Sequence, residues 1–195
     1  MTPGQVSPRE VVEYCRTRPH LLRRQGANFL QLEPTPDIWL HFWGDARRDT
    51  PDYIAAQAHT HHRDFSSTVY LGSLVNSILK FDNDPDGAYE EYLLKGGDAM
   101  SAAECVPMGR RMSITRASHT KYLAGEMYDM VADSWHRTAF SEPSITMLHL
   151  KGPVVPRYIA FTAGLSREEA SLKWVKVDWK EALYRIDGLM EMAGL

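Results

Sequence analysis

The chain has 195 residues, 44% of them apolar and 24% charged, which is the size and balance of one ordinary domain with its own hydrophobic core. A formal charge of -3 and a pI near 6.2, with basic residues scattered along the chain, argue against nucleic acid or an anionic membrane as partner, since either needs a concentrated positive field. Met1 to Glu10 lacks an apolar segment of signal-peptide length and no run of about 18 apolar residues occurs, so a cytoplasmic protein is expected.

From the N-terminus, Ser7, Pro8 and Glu10 form a capping-box start, and Val11, Val12, Cys15 and Leu21 supply one apolar side before Gly26. One helix is expected within 1–26. The next stretch is rich in aromatic and β-branched residues and broken by turn sequences such as Asp84-Pro85-Asp86-Gly87. Strands are expected at 37–43, 53–59, 65–71, 74–81, 88–94, 110–116, 126–131, 135–140 and 144–151. That many strands without helices between them imply an all-β, closed or double-sheet antiparallel barrel over 37–161. Ser166 with Glu169, and Asp178 with Glu181, then open two short C-terminal helices over 166–195. The whole of 1–195 is expected to be one domain, because neither helical end has enough apolar surface for its own core.

Cys15 and Cys105 are too few and too far apart for a disulfide framework or a thiolate metal site. Histidine is the more informative residue, being the commonest metal ligand. In an extended segment His59 and His61 share a face, so two imidazoles converge on one point. Further ligands must come from a distant strand, and His136 is the candidate. His62 points the other way, and His41 and His119 are expected to be ordinary core or surface histidines. Asp64 has two readings. A bulge after His61 would turn it inward as a ligand, giving a two-His, one-carboxylate site, whereas regular alternation leaves it outside as a partner that orients a ligand imidazole.

These residues resemble the cupin superfamily, whose first motif is His-x-His followed by Glu and a later Gly, and whose second is a set of spaced glycines ending in His. Gly72 stands at the first motif's distance from His59 and His61, with Phe65 at the glutamate position. Gly125 and His136 match the second motif's ends, with Val131 and Asp133 in place of its proline and second glycine. The resemblance covers about the central half of the chain and implies a cupin jelly-roll barrel with an N-terminal helix and short C-terminal helices.

Within the superfamily, Leu40 to Asp45, Asp133 to Arg137 and Leu148 to Leu150 are similar to stretches of the thiol dioxygenases, non-haem iron enzymes of the cysteine-dioxygenase type. They keep three histidines and lack the motif-one glutamate. Of their Ser-x-His-x-Tyr relay, however, only the histidine remains, in Met147, His149 and Lys151, and Ala27 stands where they carry the substrate-binding arginine. The resemblance therefore implies a metal site of His59, His61 and His136, Fe(II) as the metal with Zn, Ni or Mn as alternatives, and His149 as a catalytic residue. Tyr128, Arg63 and Arg137 are the candidates for orienting substrate.

The function expected is a non-haem Fe(II) dioxygenase taking O2 and a small polar metabolite. The alternatives are a non-redox metal-dependent cupin (isomerase, lyase or hydrolase) and a regulatory cupin that only binds a small ligand. Pairing as a homodimer is left open by the sequence.

Overall fold

A computed structural model describes residues 6–24, 29–44, 58–95, 104–164 and 178–195. Helix α1 (Pro8–Arg16) starts on the expected capping box, in which the Ser7 side chain accepts the Glu10 N–H while the Glu10 carboxylate accepts the Ser7 N–H. It is shorter than the 1–26 span allowed for it. Pro19 cannot continue the helix, so the chain leaves through a single 3-10 turn (Pro19–Leu21) into a short strand.

The strands that follow are β1 (Leu22–Arg24), β2 (Phe29–Thr35), β3 (Ile38–Trp43), β4 (Ala58–His59), β5 (Asp64–Leu71) and β6 (Ser73–Asn83). Then come β7 (Tyr89–Lys95), β8 (Glu104–Leu123), β9 (Met127–Met130), β10 (Trp135–Phe140), β11 (Ser144–Lys151) and β12 (Arg157–Thr162). Each expected strand is present, although 53–57 lie outside the described residues. Strand β8 runs well past the expected 110–116 because β7 pairs with its first half and β6 with its second. Strands β1, β2 and β12 were not expected: β2 carries Gln31, Glu33 and Pro34, and Pro153 and Pro156 precede β12, all of which weaken a strand signal.

All pairings are antiparallel. One sheet has the order β1-β2-β3-β11-β5-β9, and the other closes on itself as β10-β4-β12-β7-β8-β6. The protein is thus an all-β jelly roll with its helices at the chain ends. Along β3, Ile38, Leu40 and Phe42 face a cluster completed by Val11, Val12, Ile145, Met147, Ile186 and Met190, so α1 and α2 (Trp179–Met192) cover this side. Helix α2 begins on the expected Asp178 cap, whose carboxylate accepts the Glu181 N–H, while 165–177, where the other C-terminal helix was expected, lie outside the described residues. A forked pair from Arg16 to Asp187 (2.8 and 3.2 Å) ties the two helices together.

The opposite face of the first sheet is the barrel interior. Trp39, Phe65, Val69, Tyr128, Leu148 and Leu150 meet there. Gly72 turns β5 into β6 with φ near +70°, and a Cβ on it would fall 2.3 Å from the Pro143 carbonyl oxygen, so the motif-one glycine is held by backbone crowding. Among the described residues no helix is long and apolar enough to cross a membrane.

Candidate metal centre

His59 is the last residue of β4 and lies in register with His136 of β10 on one side and Ile159 of β12 on the other. Residues opposite each other in an antiparallel ladder share a face, so the distant-strand histidine arrives beside the first through sheet pairing. Beyond β4 the chain stays extended because β12 and the β9–β10 loop hold it. The Thr60 N–H donates to the Tyr158 carbonyl, the Tyr158 N–H to Thr60 Oγ1 and the His61 N–H to the Ala132 carbonyl, each at 2.9 Å.

Alternation then returns His61 to the face of His59. The three imidazoles are 6%, 7% and 3% exposed, and one ring nitrogen from each lies within 4.8 Å of the others. His61 Nε2 and His136 Nε2 are 2.9 Å apart, one ring donating to the other. Two nitrogens bound at about 2.1 Å to one metal, at right angles, would be about 3.0 Å apart, so this pair already has the spacing of adjacent ligands.

Electrostatics point the same way. Burial pushes the His61 and His136 pKa well below 6.5, and a positive charge on His59 or Arg157 lowers both further. The rings are therefore neutral at physiological pH, the state that offers a lone pair to a metal. Nδ1 of His61 and Nδ1 of His136 are buried without a hydrogen-bond partner, so no outer partner fixes either tautomer among the described residues. A metal fits these residues: three buried imidazoles converge, those of His61 and His136 kept neutral by burial, and among the described residues no carboxylate joins them.

Packing restricts access. Phe65, at the position of the motif glutamate, lies 4.5 Å between ring centroids from His61 and 6.4 Å from His136. It closes one side with an apolar wall. Trp39 stands 6.4 Å from His61 and 5.2 Å from His62, and His41 is buried beside Trp39 and Trp43 with its pKa pushed down to about 3 by burial and by His59. His41 is thus a core histidine, but one inside the barrel that carries the site.

The other expected site residues separate clearly. Tyr128 lies in the interior, in an edge contact with Phe65 and stacked on Tyr122 at 4.4 Å, with its phenol pKa raised by burial, an effect that Ser67 and Asn76 partly offset. It is the one expected substrate-orienting residue placed on the triad's side of the barrel.

Asp64 is not among the converging groups. Its Oδ1 accepts the Ala132 N–H at 2.8 Å, so it acts on the backbone that holds His61 and not on an imidazole.

Arg63 is engaged with Asp37 and with the Gly152 carbonyl. Arg137 alternates with His136 and faces the other side of β10. His149 shares its strand face with Ile145 and Met147, the helix-covered side, while Leu148 and Leu150 point into the barrel. The structure does not bring these three to the triad.

Behind the triad lies a cavity of about 460 Å³, lined by Thr60, Asp64, Glu91, Arg110, Trp135 and Tyr158 among others. Thr60 and Trp135 alternate with the ligand histidines, so this space is on the opposite face of the same strands. The buried Glu91 carboxylate is paired with Arg110 there.

Sequence reasoning missed Arg157. It precedes Ile159, the register partner of His59, by two residues, and its charge acts on both His61 and His136. The alternation in Arg157-Tyr158-Ile159-Ala160-Phe161 was the available signal.

No protein-family model matches the chain, and no curated protein matches it. Among solved structures it is similar to hydroquinone 1,2-dioxygenase PnpCD in complex with Cd2+ and 4-hydroxybenzonitrile, at 18% identity and a TM-score of 0.31, over 62% of this chain and 61% of that one. It is similar at the same identity and TM-score to hydroquinone 1,2-dioxygenase from Sphingomonas sp. TTNP3 with 4-hydroxybenzoate bound, over 62% of this chain and 63% of that one. The match thus spans about three fifths of each of those chains, and at this level of likeness the argument for function rests on the residues themselves.

Proposed function

We propose that the chain is a metal-dependent cupin whose His59, His61 and His136 hold iron(II), and that it joins dioxygen to a small polar metabolite. The observation that carries this reading is the convergence of three buried imidazoles, two of them with Nε2 atoms 2.9 Å apart. Bound there, iron would supply the redox chemistry that lets dioxygen react with an organic molecule, and three protein ligands leave positions open for both.

The protein's own residues supply the rest. Phe65 and Trp39 keep bulk water from the triad, which protects reactive species and strengthens every charge interaction inside. Tyr128, buried and protonated, offers a phenolic hydrogen to a polar substrate group. The Ala132 carbonyl and the β10 ladder hold His61 and His136 in place.

The test is anaerobic loading of metal-free protein with iron(II), followed by oxygen-uptake screening against small polar metabolites. Substrate-dependent uptake that needs iron and disappears in His136→Ala supports the reading. Turnover that proceeds equally well with zinc and consumes no oxygen replaces it with the non-redox alternative.

A further inference from the structure

Strand parity divides the closed sheet between two spaces. His59 and its register partners His136 and Ile159 share the triad's face, whereas Ala58, Ala160 and Glu91, opposite one another on β4, β12 and β7, lie on the other face, as does Trp135 with its partner Leu79. Because β8 bends from β7 to β6, the sheet closes on this second face and buries Ala58, Leu79, Met112 and Ala160 there. Trp135 ends that apolar cluster and begins the cavity of about 460 Å³ behind the triad. Small-molecule sites span on the order of 300 to 1,000 Å³, so the space is large enough for a ligand.

The lining is of one sign. Asp64, Glu91 and Asp133 bring three carboxylates, against a single cation, Arg110, among the described residues. Trp135, packed edge-on against Phe81 at 5.1 Å, and Tyr158 add aromatic walls. Glu91 is the decisive group. It is 6% exposed, its Oε2 accepts no hydrogen bond among the described residues, and Arg110 reaches it only as an ion pair while its own side chain stays 49% exposed. A buried carboxylate is costly unless donors fill its lone pairs, and Arg110 shows that a cation fits against this one. Carboxylates and aromatic rings around a concave space attract an organic cation through charge and through the ring faces, and repel an anion.

We propose that this cavity is a second ligand site that takes a small organic cation, an ammonium or guanidinium on a short apolar body, and that Arg110 occupies Glu91 until such a ligand replaces it. The site lies across the sheet from the triad, and its test needs no metal.

The experiment uses the full chain and two matched probe pairs, n-butylguanidinium with n-butylurea and choline with 3,3-dimethyl-1-butanol, followed by calorimetry and by thermal melts with and without probe. Each pair has nearly one shape and differs in charge. Wild type is expected to bind at least one cation tenfold or more tightly than its neutral partner. Arg110→Gln removes the competing guanidinium and should tighten cation binding further, with a larger rise in melting temperature on adding the cation. A merely structural Arg110 would give a less stable protein with no gain in cation affinity.

Glu91→Gln should abolish the preference. If that variant does not fold, the double variant Glu91→Gln with Arg110→Gln, which replaces the ion pair by two amides, carries the same expectation. Absence of a cation preference in both wild type and Arg110→Gln, or its persistence once Glu91 is replaced, overturns the proposal.

Discussion

His61 and Asp64 are coupled through a single backbone unit, for the Ala132 carbonyl accepts the His61 N–H at 2.9 Å and the Ala132 N–H donates to Asp64 Oδ1 at 2.8 Å. The carboxylate thus secures the loop that holds a ligand-bearing segment, without touching an imidazole. Asp64→Ala is expected to leave the Ala132 N–H without its acceptor and to lower stability by about 1 to 3 kcal/mol. Metal stoichiometry should stay at one per chain. Denaturant unfolding and metal analysis of the same preparation check both halves, and loss of the metal with stability intact would return Asp64 to the ligand set.

Acid should weaken the metal-free protein earlier than carboxylate titration alone would. Burial lowers the His41 pKa from 6.5 to about 3 and the His62 pKa from 6.5 to about 4. The unfolded chain protonates these rings near pH 6.5 while the folded chain does not, so below that pH the unfolded state binds more protons. Stability is full above about pH 6.5 and falls as pH drops toward the folded values, by up to about 1.4 kcal/mol per pH unit for each histidine. Melting temperatures between pH 8 and pH 4.5 measure the slope. His41→Asn should flatten it, and an unchanged slope would count against the burial account.

How much of the site was legible depended on strand parity. His59 and His61 could be read as co-facial because alternation over two residues survives the end of β4, and His136 because its distance from Gly125 matches the spacing of the second motif that the sequence resembles. His149, Arg63 and Arg137 were chosen for closeness in sequence or by resemblance, which ignores the face. One residue of displacement puts His149 with Met147 under the helices and Arg137 behind His136. Arg157 escaped because Pro153 and Pro156 masked β12, and the pairing of Ile159 with His59 is a long-range contact that no local pattern encodes. The capping box of α1 and the Asp178 cap of α2, by contrast, are local chemistry and were readable directly.

The covering helices should contribute by packing far more than by surface charge. Ile186 is fully buried in the cluster under α1 and α2, so Ile186→Ala is expected to cost about 2 to 5 kcal/mol. Asp187→Asn, which breaks an exposed pair with Arg16, should cost no more than about 1 kcal/mol. Urea unfolding of the two variants checks the order, and a reversal would mean that α2 is held by its charges.

At Gly72 the left-handed backbone and the nearby Pro143 carbonyl act together. Gly72→Ala is expected to destabilise by more than the roughly 1 to 2 kcal/mol of the left-handed conformation alone, because the new methyl must displace backbone of the β10–β11 turn. Thermal unfolding measures it, and a near-neutral result would show that the turn relaxes freely.

The most direct test of the central claim is the metal content of the purified protein after saturation with iron(II) under anaerobic conditions and removal of the excess, for wild type and for His59→Ala, His61→Ala and His136→Ala. One metal per chain in wild type, with a large loss in each variant whose far-ultraviolet circular dichroism remains native, is the expected result. Full occupancy in any one of the three folded variants would contradict the three-histidine centre.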